Sequence, residues 1–210
     1  MNGQEHHRQW LDHAGVWAAV AAAIAAAIAA GAASWQAYLT RENNIASQRA
    51  FVSVSITGEF LSVEKDRRTP KAINYVIAVA NSGNTATKAL DLLVRCAPAA
   101  EDLREPWSII RQGQLPKDKV PIFVGPHATQ QSGCSFPYEQ ITEMAGGKLF
   151  GYVLVDASYV DRLDGSRRKT QMAVKLAQFD IRTDVSPPVV TQLLQPVGKH
   201  NCADDECPAD

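Results

Sequence analysis

Charge imbalance is the first thing this sequence lacks. Lys and Arg together number 21 and Asp and Glu 22, for a formal net charge of -1, so no overall field draws the chain toward nucleic acid or another polyanion. Nucleic acid is not an expected partner. Cysteine is also scarce. Cys96, Cys134, Cys202 and Cys207 are the only four in 210 residues, too few and too scattered to frame a disulfide-built miniprotein. They leave the redox compartment open. No glycine-rich loop is built to cradle phosphates, and no catalytic motif stands out. The expectation is therefore no catalytic, cofactor-binding or metal-ligating residues and no cofactor. A chain of 210 residues accommodates one good-sized core with appendages rather than two full domains.

Charge is wholly missing from Ala14 to Leu39, between Asp12 and His13 on one side and Arg41 on the other. A bilayer-crossing helix needs roughly 20 apolar residues, and this stretch exceeds that. Alanine contributes little to insertion, so Val16, Val20, Ile24 and Ile28 carry it at roughly -0.3 to -0.6 kcal/mol each. Trp10 and Trp17 near one end, with Trp35 and Tyr38 near the other, form the paired aromatic belts that favour interfaces. Ala30 and Ala32 would suit a signal-cleavage site, releasing a secreted domain near Ser34. The leader, with Glu5, Arg8 and Asp12, lacks the positive region such a signal wants. An uncleaved anchor is the expectation. Ala19, Ala23, Ala27 and Gly31 form a small-residue face of the kind that lets two spans approach, so a homo-oligomer is one candidate assembly. Arg41 and Arg49 after the span, against Arg8 before it, lean toward a cytoplasmic carboxy-terminal side.

The period then changes. Residues 1–13 form a short N-terminal segment, 14–39 the transmembrane helix and 40–50 a helical stalk without proline or glycine. From Phe51 to Leu61, Val52, Val54 and Ile56 alternate with Ser53, Ser55 and Thr57, which predicts a half-buried strand. Ile73, Tyr75, Ile77 and Val79 share one face of a second strand, and Leu90, Leu92, Val94 and Cys96 one face of a third, with a turn over 81–85 between them. These three are expected to be consecutive antiparallel neighbours. Residues 101–118 read as a long connection with an edge strand or short helix, 120–124 and 129–136 as two strands, and the stretch after Pro137 as a helix ending at Gly146. A long hairpin closes through Leu163, Asp164, Gly165 and Ser166. Roughly seven strands with turns between them predict a mainly β fold, an antiparallel immunoglobulin-like β-sandwich over 51–181 preceded by one transmembrane helix. The proline-rich, acidic segment 182–210 is expected to be a disordered tail.

SQRAFVSV after the span, ANSGNTATKAL in the turn, GPHAT and the late GYVLVDASYVDRLDG resemble a broad group of uncharacterised bacterial single-span membrane proteins. In that group a similar turn reads Asn-x-Gly-x-Thr-Pro-Ala, whereas here Ala86 follows Thr85 directly. The resemblance implies a β-sandwich anchored in a bacterial inner membrane and assigns no activity.

Several residues carry chemistry that is weighed against plain structural roles. Asn81, Gly83 and Asn84 fit a structural turn better than a ligand site. His127 and Cys134 are the one His/Cys combination inside the domain, and with Asp156 and Asp161 they frame an alternative, an enzyme with a loop-end cleft. Cys96 and Cys134 suit an intersheet disulfide if the domain is exported. His200, Cys202 and Cys207 offer three soft ligands where structural zinc usually takes four, so a local disulfide or solvated tail fits better. The carboxylates Glu139, Glu143 and Asp164 read as surface and turn chemistry. Arg162, Arg167, Arg168 and Lys169 flank the hairpin tip, at the membrane-near end of an immunoglobulin-like order, where each cation can meet anionic headgroups for about 1 kcal/mol. The resulting expectation is a non-enzymatic, membrane-anchored interaction or structural module. It holds the lipid bilayer through its helix and presents a surface for a protein partner or a second copy.

Overall fold

A computed structural model describes residues 3–64, 69–112, 122–163, 165–182 and 189–207. The chain divides after Ser47 into two compact units. The first is essentially one helix, α1, Gly3–Gln48. It starts well before the expected span and runs without interruption through the stalk, because nothing between them removes a backbone donor. Its stretch Val16–Ile45 is long and apolar enough to cross a membrane. Val16, Trp17, Val20, Ile24, Ile28, Trp35, Tyr38 and Leu39 are all exposed along it.

The second unit is mainly β, two antiparallel sheets packed face to face. One sheet has the order β1 (Val52–Val63), β2 (Pro70–Asn81), β4 (Thr129–Pro137). The other runs β3 (Lys88–Ala99), β5 (Phe150–Val160), β6 (Arg167–Arg182), β7 (Val189–Pro196). A short β8 (Cys202–Ala203) adds to β6 beyond the end of β7, and a single 3-10 turn follows it at Asp204–Glu206. The core lies between the sheets. Val52, Ile73, Tyr75, Ile77, Val79 and Phe136 face Leu90, Val153, Val155, Tyr159, Val174 and Leu176, the two inner faces that the period-2 patterns mark out. Helix α3 (Tyr138–Ala145) plugs one end with Ile141 and Met144. Gly146 caps its end as expected, and the residue after it, Gly147, takes φ 71°.

Two expectations are corrected here. The third strand is not the neighbour of the second: β2 pairs with β4, and β3 crosses to the other sheet to pair with β5. The chain from Asn81 to Thr87 makes that crossing, and side-chain period cannot distinguish it from a hairpin turn. Residues 189–203, assigned to a disordered tail, instead form β7 and β8 on β6. Val190, Gln192 and Leu194 alternate inward while Val189, Thr191 and Leu193 face out, so the segment carries a strand pattern that the surrounding prolines and acids obscure. Of the other expected elements, the 101–118 connection supplies helix α2 (Trp107–Gln112). It covers the outer face of the second sheet, where Trp107 and Ile110 pack on Ala97, Tyr152, Leu154 and Ala173. The strand expected at 120–124 lies partly outside the described residues; Ile122 within it bridges Leu90.

The crossing is organised by one buried amide. Asn81 Oδ1 accepts from Phe51 N (3.1 Å) and Gly83 N (3.0 Å), while Nδ2 donates to the carbonyls of Thr85 (2.7 Å), Val124 (3.3 Å) and Gly125 (3.1 Å). Gly83 sits so close to the start of β1 that a Cβ there would lie 2.0 Å from Arg49 O and 2.7 Å from Phe51 N. Close backbone approach is the reason for this glycine. Gly83→Ala should cost more than about 2 kcal/mol in a urea titration, and Asn81→Ala about 2–4 kcal/mol, because several backbone groups lose their partner together. Gly125→Ala, whose methyl would meet only ordinary van der Waals contacts near Ala128 and Phe123, should stay within about 0.5 kcal/mol.

Candidate functional site

The residues singled out for an enzymatic cleft do not come together as reactive groups. Cys134, in edge strand β4, is bonded to Cys96 in edge strand β3, so it holds no thiolate for nucleophilic attack. His127 lies in the loop before β4, at φ 52°, with Nε2 3.1 Å from Asn84 Oδ1. Asp156 accepts from Gln171 Nε2 on the outer face of the second sheet. Asp161 is fully buried at the β5–β6 hairpin, where its Oδ1 accepts from Leu163 N (2.9 Å). Asp164 lies outside the described residues. Cys202 and Cys207 are bonded to each other, the local disulfide that their spacing allows. His200 is buried, stacked on Trp107 with centroids 4.7 Å apart, and Nδ1 meets Gln171 Oε1 at 2.9 Å.

The basic run is largely turned to internal use. The hairpin is longer than a two-residue Asp-Gly turn: Asp161 N bonds Ser166 O, Gly165 N bonds Asp161 O, and Gly165 takes φ 73°. Arg167 donates from Nε to Ser158 Oγ (2.8 Å) and pairs with Asp91 (3.1 Å). The Arg168 guanidinium lies 3.7 Å from the buried Asp161 carboxylate. Lys169 is half-buried and Arg162 exposed.

The two lateral seams of the sandwich differ. On one side the Cys96–Cys134 bond ties the edge strands covalently. On the other, β1 and β7 are joined by a polar chain: Tyr75 Oη donates to Gln192 Oε1 (2.7 Å), and Gln192 Nε2 donates to Glu59. Beside this chain a cleft of about 190 Å³ opens, lined by Glu59, Phe60, Leu61, Ile73, Val189, Val190 and Gln192. It has an apolar floor with one carboxylate and one amide at its polar side. Strand β7, VVTQLLQP, has no charge, and its Val189 and Leu193 are exposed. An uncharged, apolar edge strand lacks the usual protection against pairing with another chain. Sequence reasoning missed this site because half of it falls in the segment read as tail. The β-branched run Val189–Thr191 was its signal.

No family model, no curated protein and no solved structure matches this chain.

Burial raises the phenols that hold these joints. Tyr152 is pushed up to about 12, chiefly by burial and further by the adjacent Asp102. Tyr75, beside Gln192, and Tyr159, bonded to Asp204, are raised further, again mainly by burial. All three shifts are upward, so the stability they contribute is intact below the unfolded phenol value near pH 10 and is lost as pH rises through the folded values. Denaturation midpoints measured against pH should therefore hold level with respect to these groups up to about pH 10 and fall above it, with a shallower fall in Tyr152→Phe.

The two cystines also differ in what they close. With sequence separations of 38 and 5 residues, loop-closure entropy gives about 4 kcal/mol for Cys96–Cys134 and about 2 kcal/mol for Cys202–Cys207. Unfolding of the C96S/C134S and C202S/C207S double variants should reproduce that order.

Proposed function

We propose that this chain is a non-enzymatic, single-span membrane protein, in a bacterial inner membrane as the resemblance implies, whose β-sandwich stands in an oxidising, extracytoplasmic compartment and offers an interaction surface there. The observation that carries this reading is the bonding of all four cysteines as two pairs, since such bonds persist outside the reducing cytosol. It outweighs the cytoplasmic lean drawn from Arg41 and Arg49, which rests on a margin of one charge. The uncharged, exposed apolar helix supports the anchor.

The strand order supports an immunoglobulin-like assignment. β1-β2-β4 and β3-β5-β6 correspond to A-B-E and C-F-G, with β7 as an addition beyond G. The disulfide departs from that pattern, joining the equivalents of C and E rather than B and F. The surface offered to a protein partner is the β1–β7 seam, where the cleft and the uncharged edge of β7 lie together and an extended segment can add by main-chain pairing. The lipid bilayer is the other partner.

A carboxy-terminal fusion to alkaline phosphatase, active only after export, should be active and should sediment with membranes at full-chain mass. Fluorescence from a cytoplasmic reporter at the same position, with an inactive phosphatase fusion, would refute the compartment. A soluble product beginning near Ser34 would instead support release by cleavage.

A further inference from the structure

Of Arg162, Arg167, Arg168 and Lys169, the cations expected to meet headgroups, Arg167 pairs with Asp91 and Arg168 with Asp161. The same end of the sandwich carries a different feature. Three large apolar side chains project there from separate segments: Phe51 ahead of β1, 40% exposed; Phe123 ahead of β4, 63%; and Leu163 in the β5–β6 hairpin, 40%.

Their segments are held together by backbone bonding. Phe51 O accepts from Ser82 N (2.9 Å), and Thr87 N bonds Val124 O (3.0 Å). The register sets Lys88 opposite Val160, at the base of the hairpin, and Tyr159 Oη donates to Ala50 O (3.3 Å). A single exposed apolar residue needs no explanation. Three at one end of a domain, on loops that are otherwise stapled and ion-paired, do.

We infer that this loop end, through Phe51, Phe123 and Leu163, is a lipid-contacting surface that inserts apolar tips among the headgroups of the bilayer α1 spans. The inference rests on the anchor reading above. The occupant is set by chain length. From Leu39, the last residue of the uncharged stretch, to Gln48, the end of α1, the helical rise amounts to about 14 Å. A tether that short limits how far β1's first residues can stand from the membrane surface, which raises their effective concentration there, so a weak apolar contact suffices. Three cations at this end are paired within the domain, Arg49 with Asp204 (3.5 Å), Arg167 with Asp91 and Arg168 with Asp161, while Arg162 and Lys88 are exposed. The three tips themselves carry no charge, so the contact we infer is by apolar partition rather than by attraction to anionic lipid.

The test uses the full chain in phosphatidylcholine nanodiscs, with hydroxyl-radical labelling of Phe51 read by mass spectrometry. Wild type is compared with F123D/L163D, whose substitutions fall on exposed side chains. Phe51 should be labelled at least about threefold less in wild type than in the variant in nanodiscs, and equally in both in lipid-free detergent. Phe60 and Leu193, on the β1–β7 seam, should not differ. Equal Phe51 labelling of the two proteins in nanodiscs overturns the inference. So does protection that arises only when anionic lipid is added, which would return the contact to the cations, or protection in lipid-free solution that is lost on dilution, which would mark a protein contact. Flotation of the full chain with vesicles reads the anchor separately: a chain that floats without Phe51 protection refutes this contact alone, and one that does not float refutes the anchor and this contact with it.

Discussion

The side chain of Asn81 is the joint on which the sandwich depends. It is the last residue of β2, buried, and its amide holds the start of β1, the crossing turn and the segment leading to β4 at once. An amide suits this because it presents an acceptor and two donors from one planar group. Val124 O and Gly125 O also accept from Thr87 N and Ala128 N, so it is Phe51 N, Gly83 N and Thr85 O that depend on this amide where two sheets converge. Gly83 completes the joint by letting the turn lie against Arg49 and Phe51 without a Cβ in the way. From this point β3 is launched into the opposite sheet, and the residues that follow the helix are fixed to the domain.

A sandwich has two open sides, and this one closes them by different means. The covalent tie between β3 and β4 restrains one seam whatever the neighbouring side chains do. The Tyr75–Gln192–Glu59 chain on the other is built of exchangeable hydrogen bonds worth about 1 kcal/mol each. Only that second seam can open to admit a strand or an apolar side chain at modest cost. The interaction surface we propose lies along this seam, beside the uncharged β7 edge.

Much of the fold is legible in local pattern. Alternation in β1, β2 and β3 identified the inward faces correctly: Ile73, Tyr75, Ile77 and Val79 are buried, and Leu92, Val94 and Cys96 pack on the same core. The chemistry-bearing residues were less legible. His127 and Cys134 drew attention as a pair of residue types, but the partner of each is fixed by register: Cys134 stands opposite Tyr75 in one sheet and meets Cys96 from the other. Likewise Arg167 and Arg168 read as a solvated basic run until the hairpin fold brings Asp91 and Asp161 to them.

By itself the sequence determined an uncharged stretch of helix, most of the strands that follow it and the faces that β1, β2 and β3 bury, because those depend on side-chain period and on apolar length, which are properties of consecutive residues. The tertiary structure alone decided that β2 pairs with β4, that the cysteines bond in two pairs, that the presumed tail supplies β7, and that a cleft lies between β1 and β7. Apart from the local Cys202–Cys207 bond, each of these joins segments distant along the chain. Their free energy comes from register, shared burial and hydrogen bonds between strands, and no local window of sequence contains both partners.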